Sequence, residues 1–240
     1  MEKLIYLVEC EPDAGPDALR ERILSDIAPQ LLERGAEKLT VYVEDSASQT
    51  PVPLTPPEGE TRVRADISLW LDCHDRREPC EELLRDLGSA LHGYLVTESL
   101  YTEYGGNPHA EPRHWPDGER SPGLTMLTLL AKPDRLTYEQ WIEHWYGMQS
   151  PVSERLQPRI RYVRNAVARA LTPNAKPWLG IVEECWAAPE DITDPHRFYL
   201  TGGSDEVLNR NLTEMLESVG GFLELEQIRS YMLSEYILRS

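Results

Sequence analysis

The sequence predicts an α+β fold built from two tandem βαββαβ units whose antiparallel sheets pack face to face. Three observations carry that expectation. Apolar periodicity gives the same order of strands and helices twice, before and after a stretch from Gly105 to Gly123 that is dominated by Gly, Pro, Asn, His and Asp and has no hydrophobic period. The two closing strands carry Val96-Thr97-Glu98-Ser99 and Leu233-Ser234-Glu235-Tyr236, each with a glutamate beside a hydroxyl, and both third strands hold a tryptophan, Trp70 and Trp186. A βαββαβ unit puts both helices on one sheet face and leaves the other bare, so a second unit is the natural cover. The boundaries that follow are 1–104 for the first unit, 105–122 for the linker and 123–240 for the second.

The first unit opens with Lys3 to Cys10, a short apolar run that reads as a buried strand and ends in Glu-Pro-Asp-Ala-Gly-Pro. From Asp17, Leu19, Ile23, Leu24, Ile27 and Leu31 keep helical spacing until Gly35, with Pro29 expected to kink or break the helix because it lacks an N–H. Leu39 to Glu44 alternates as a strand. Residues 45–60 hold Pro51, Pro53, Pro56 and Pro57 and read as a long loop. Ala65 to Leu71 alternates again. Cys80, Leu83, Leu84, Leu87 and Leu91 give the stripe of a second helix, and Tyr94 to Tyr101 makes the fourth strand.

In the second unit, Leu124 to Ala131 is an apolar strand, followed by a helix from Thr137. Thr137 can cap that helix and Gln140 stands where a capping box places its second partner. Trp141, Trp145 and Met148 share one helical face, which a core role explains, with ligand contact as the alternative. Gly147 and Pro151 end or kink it. Strands follow at Ile160 to Val167 and Leu179 to Trp186, then a helix over Ser204 to Val219, then a last strand at Ile228 to Ile237.

Composition narrows the function. A formal net charge of -17 repels nucleic-acid phosphates and anionic lipid, no stretch has the ~20 apolar residues of a membrane span, and the N-terminus lacks the features of a signal peptide. A cytoplasmic protein without nucleic-acid or membrane partners is expected. The four cysteines include no Cys-x-x-Cys pair. Cys73-His74 with Cys80 has zinc-type donors at a spacing that matches no standard pair, so no metal is expected. Dinucleotide, Walker, Gly-x-Ser-x-Gly and His-Glu-x-x-His motifs are absent, and no cofactor is expected.

Five segments of the second half carry a resemblance: Leu129-Leu130-Ala131-Lys132-Pro133, Leu136-Thr137-Tyr138-Glu139-Gln140-Trp141 with Trp145, Ser150-Pro151-Val152, Tyr162-Val163-Arg164-Asn165, and Gly180-Ile181-Val182-Glu183. In order and spacing this stretch resembles the EthD family of the dimeric α/β barrel superfamily, over about a quarter of the chain. The resemblance implies two ferredoxin-like units forming a dimeric α/β barrel-like pseudo-dimer, monomeric or as a homodimer, with a small-molecule cavity in the barrel. Where the family's helix usually ends in His-x-Pro, this chain has Gln149-Ser150-Pro151, and glutamine cannot exchange a proton near neutral pH.

Two functional readings follow. One is a protein that binds a small apolar or aromatic metabolite, with Trp141, Gln149, Tyr162, Asn165, Glu98 and Glu235 as candidate contacts. The other is a cofactor-independent monooxygenase, cyclase or dehydratase acting on an aromatic or polyketide-like compound, with Glu183 and His144 as candidate catalytic groups. Strand parity allows only one of Glu183 and Glu184 to face inward, and likewise sets Tyr162 against Asn165. His109, His114 and Trp115 of the linker are candidates for a lid. Self-association through exposed sheet edges is a third reading.

Overall fold

A computed structural model describes residues 1–10, 15–54 and 61–240. Eight strands are formed: β1 (Glu2–Cys10), β2 (Lys38–Val43), β3 (Arg62–Leu71), β4 (Ala90–Thr102), β5 (Leu124–Leu130), β6 (Arg159–Ala170), β7 (Gly180–Trp186) and β8 (Arg229–Arg239). They close into one antiparallel barrel in the order β1-β3-β2-β8-β5-β7-β6-β4.

This corrects the expected architecture. The two halves do not pack sheet on sheet as ferredoxin-like units of a pseudo-dimer. The first half instead joins the second edge to edge, β2 on β8 and β4 on β6, and the few helices lie outside the barrel wall. The physical reason is the row of unpaired N–H and C=O groups that an open edge presents. Closure pairs both edges of each half among the described residues.

Alternation along the strands sorts side chains between the barrel interior and its outer face. Ile5, Leu7, Tyr42, Val96, Leu127, Ile181 and Leu233 form the apolar part of the interior. Leu4, Tyr6, Val8, Leu39, Val41 and Ile67 face outward and are covered by α1 (Pro16–Arg22), α2 (Ala28–Glu33) and α3 (Glu78–Leu84). In the second half, Leu130, Tyr162 and Val182 meet α4 (Tyr138–His144), α5 (Ser150–Leu156) and the 18-residue α8 (Asp205–Phe222).

The proline effect appears as a change of winding. A π-helical turn, Ile23–Ile27, joins α1 to α2 and ends two residues before Pro29, and a second, Trp145–Gln149, joins α4 to α5 and ends two residues before Pro151. The missing proline N–H makes local rewinding cheaper there than at a residue that must donate. The Thr137/Gln140 capping box is formed in both directions, at 3.2 and 2.9 Å.

Three boundaries move. The helix expected over Cys80 to Leu91 stops at Leu84, because Ser89 N bonds Glu9 O at 2.8 Å and a Cβ on Gly88 would stand 2.2 Å from that oxygen. Two short helices, α6 (Glu190–Thr193) and α7 (Pro195–Phe198), occupy a stretch read without structure, and α8 runs through Gly220 and Gly221 to Phe222. The Glu11-to-Ala14 part of the first loop and residues 55–60, with Pro56 and Pro57, lie outside the described residues.

Candidate functional site

The barrel axis is occupied by charged side chains. Glu183 on β7 is fully buried and accepts from Lys3 Nζ at 3.1 Å, Tyr42 OH at 3.0 Å, Asn165 Nδ2 at 3.1 Å and Ser68 Oγ at 3.4 Å. Lys3 also donates to Glu98 at 2.8 Å. Burial works against the Lys3 charge, but Glu183 and Glu98 outweigh it and hold its pKa above the usual lysine range. Asp66, fully buried on β3, is pushed well above the carboxylate range by burial and by the Glu183 charge, which favours its neutral form.

A second charged group continues the first. Arg161 Nη1 donates to Tyr42 OH at 3.1 Å and to Glu235 Oε2 at 3.0 Å, while Tyr104 and Ser121 donate to Glu235 Oε1 at 2.7 and 2.6 Å. Trp115 lies edge-on to Tyr104 at 4.9 Å and donates to Ser121, so the linker is packed onto the barrel at this end. An eight-stranded barrel has room for its own side chains or for one small ligand, and these hydrogen-bonded charged groups take up much of that room.

The apolar cavity lies on the other side of the wall. It measures about 250 Å3 and separates the outer face of β5, β7 and β8 from α8. The sheet contributes Met126, Thr128, Leu130, Val182, Ile228 and Ser230, and α8 contributes Met215, Leu216, Val219 and Phe222. Trp145, Gln149, Gln157 and Tyr162 line it from the α4–α5 side, and Phe198 and Tyr199 close another wall. Leu216 and Leu225, both lining residues, are also exposed and mark its opening.

Local sequence explains the cavity. Met126, Thr128 and Leu130 share the outward parity of β5, as do Val182 and Glu184 on β7. Helix α8 docks at its far end, where His144 Nε2 meets Ser218 O at 2.8 Å and the imidazole stacks on Phe222 at 5.4 Å. Gly221 lets the helix approach, since a Cβ there would stand 2.2 Å from the His144 ring.

The polar atoms of the lining divide into engaged and free. Tyr162 OH accepts from Trp145 Nε1 at 3.2 Å and lies 3.4 Å from Ser150 Oγ, and Thr128 pairs with Ser230 at 3.2 Å. Glu184 is the carboxylate of the site. Its Oε1 takes a 2.7 Å hydrogen bond from Arg159, whose guanidinium is fully buried 3.9 Å from the Tyr162 ring, while its Oε2 has no hydrogen-bond partner among the described residues. Gln149 gives Nε2 to Met215 Sδ at 3.4 Å and leaves Oε1 buried and unmatched. Gln157 is 7% exposed, and its side-chain amide has no hydrogen-bond partner among the described residues.

The residues singled out from the sequence therefore fall into three places. Gln149 and Tyr162 come together in the outer cavity. Glu183, Asn165 and Glu235 are buried in the barrel interior, and Glu98 lies at its mouth against Lys3, with its side chain 30% exposed. Trp141 is fully buried against Trp145 at 5.0 Å, and His144 binds α8, neither of them lining the cavity. The apolar cavity lies outside the barrel, and two other voids open on interior-facing residues, about 200 Å3 beside Leu129, Trp178 and Tyr231 and about 410 Å3 beside Lys3, Val96 and Glu98. Glu184, Gln157, Tyr199 and α8 itself were missed as site components. The parity that turns Glu183 inward also turns Glu184 out, so that residue was readable. Gln157 had no sequence signal.

No family profile matches the sequence, and no curated protein matches it. Among solved structures, an anthrone oxidase-like protein superposes with a TM-score of 0.54 at 10% identity, covering 100% of this chain and 93% of its own. A candidate monooxygenase from Fusobacterium nucleatum subsp. nucleatum gives 0.49 at 7% identity, covering 99% of this chain and 92% of its own. Another from Lactobacillus acidophilus gives 0.47 at 12%, covering 99% and 96%. At 10% identity the likeness to the first of these is one of fold. Among the described residues, no helix is long and apolar enough to cross a membrane.

Proposed function

We propose that this chain is an EthD-like protein that binds a small, largely apolar or aromatic molecule in the cavity between α8 and the outer face of β5, β7 and β8. The observation that carries this reading is the cavity of about 250 Å3, walled by methionine, leucine, valine and aromatic side chains. Its size is near the lower end of small-molecule sites, roughly 300 Å3, and its composition, apolar walls with a few polar groups, is theirs.

The test is a filled cavity. Val182 is buried and faces the void from the sheet, so Val182→Phe puts a ring into it. Calorimetric titration with naphthalene should show saturable binding to the unaltered chain and at least tenfold weaker binding to the variant, with the β-sheet circular dichroism retained. Failure of naphthalene and of single-ring aromatics to bind the unaltered chain would refute the reading.

A monooxygenase-type activity is the second reading. It draws on the fold shared with the anthrone oxidase-like protein and on the free Oε2 of Glu184, a carboxylate oxygen able to take a proton from a bound molecule. Glu183 and His144 do not line the cavity, so in this reading the proton acceptor is Glu184. Dioxygen uptake in the presence of an anthrone, abolished in Glu184→Gln, supports it. No uptake by the unaltered chain removes it.

A further inference from the structure

Resting on the small-molecule reading, we infer that the ligand is uncharged and carries a hydroxyl, and that the cavity rejects carboxylates. The inference comes from the polar atoms that the fold leaves unmatched. Among the described residues two acceptors face or border the void without a donor, the buried Gln149 Oε1 and Oε2 of the part-exposed Glu184. A third group, the Gln157 amide, can both accept and donate.

Buried polar atoms are ordinarily paired, and a ligand group that pairs them gains what the empty site forgoes. A hydroxyl fits, because it gives its proton to an acceptor and takes one from the Gln157 amide. An ether or ketone of the same size offers no proton to either unmatched acceptor.

Charge acts in the same direction. Glu184 is the carboxylate of the cavity wall, and the cation beside it is already paired: Arg159 gives Nη1 to Glu184 and Nη2 to Ser153 Oγ and Glu154, and keeps only its buried Nε unmatched among the described residues. A ligand carboxylate would sit beside Glu184 and draw on a cation already shared by two carboxylates, in a site whose walls are apolar.

The experiment uses the whole chain at pH 7 and four bicyclic probes in calorimetric titrations: naphthalene, 2-methoxynaphthalene, 2-naphthol and 2-naphthoate. 2-Naphthol should bind about tenfold more tightly than 2-methoxynaphthalene, the size expected for one hydrogen bond to a charged acceptor. 2-Naphthoate should bind more weakly than all three. Glu184→Gln should narrow the gap between 2-naphthol and 2-methoxynaphthalene and improve 2-naphthoate. Gln149→Leu, which leaves the ion pair alone, should weaken 2-naphthol more than naphthalene.

The inference is overturned if 2-naphthoate matches 2-naphthol, or if both variants leave the order and spacing of affinities unchanged. That failure is distinct from failure of the underlying reading, in which naphthalene and all three derivatives do not bind.

Discussion

Removing the barrel's central cation is the most demanding test of how this fold is held. Lys3 is 4% exposed and its Nζ reaches Glu98 at 2.8 Å and Glu183 at 3.1 Å. Lys3→Met keeps the length and apolar stem of the side chain and deletes the charge. Glu183 then keeps Tyr42, Asn165 and Ser68 as donors but loses its counter-charge in a fully buried position beside Asp66. Stripping one partner from a buried ion pair costs about 3–5 kcal/mol. The remaining three donors set the expectation at the lower end, about 3 kcal/mol, out of a total stability of roughly 5–15 kcal/mol. Urea denaturation at pH 7, followed by far-ultraviolet circular dichroism, should show that loss as a lower midpoint. The double variant Lys3→Met/Glu183→Gln should recover at least about 1 kcal/mol relative to the sum of the single changes, because the uncompensated charge is gone. A single-variant cost below about 1 kcal/mol, or strict additivity in the double variant, would refute the counter-charge argument.

Other expectations rest on separate contacts. Glu9 is held down to about 2 from an ordinary 4.5; burial opposes the charge, but hydrogen bonds from His92, Lys176 and Thr61 outweigh it. A depressed carboxylate stabilises above its unfolded value and loses that contribution as pH falls through the folded one. Glu9 should therefore contribute on the order of 3 kcal/mol at pH 7 that disappears between pH 4.5 and 2, and Glu9→Gln should flatten the denaturation midpoint across that window. Asp66 has the opposite sign: its raised pKa makes the fold less stable as pH rises, so Asp66→Asn should weaken the pH dependence above pH 5 in the same assay. Gly221→Ala drives a methyl into the His144 ring and should cost about 1–3 kcal/mol, read by calorimetry as a melting point lower by roughly 2–12 °C.

Much of the local structure was legible because local chemistry decides it. The strand cores, the Thr137 capping box and the proline disturbances are properties of short windows, and period, cap and missing N–H are each visible there. How the two halves meet is decided by long-range pairing. Nothing in Leu39 to Glu44 says that Tyr42 pairs with Glu235, so the choice between stacked sheets and one closed wall lay beyond the pattern. The cavity was harder still, since it depends on α8 docking at Ser218 and Phe222 while standing off the sheet at Met215 and Val219. A helical stripe reports which face is apolar and not how far it lies from its partner. The candidate residues split for the same reason: Gln149 and Tyr162 reach the cavity, whereas Glu183, which the EthD resemblance pointed to, is buried in the barrel network.

The adjacent glutamates of β7 bring these strands of argument to one test. Glu183 and Glu184 are chemically identical and one residue apart, yet strand alternation sends the first to Lys3 inside the barrel and the second to Arg159 beside the cavity. On the readings proposed here they do separate work. Glu183→Gln should lower stability by about 1–3 kcal/mol, since Lys3 keeps only Glu98 as a charged partner, while leaving naphthalene affinity within about twofold. Glu184→Gln keeps an oxygen for Arg159, and that arginine retains Glu154, so its stability should change by less than about 1 kcal/mol while its selectivity among naphthalene derivatives changes. Denaturation midpoints and calorimetric affinities on the two purified variants give the four numbers needed. If Glu183→Gln abolishes binding at unchanged stability, the bound molecule touches the barrel interior, and the assignment of the site to the outer cavity is wrong.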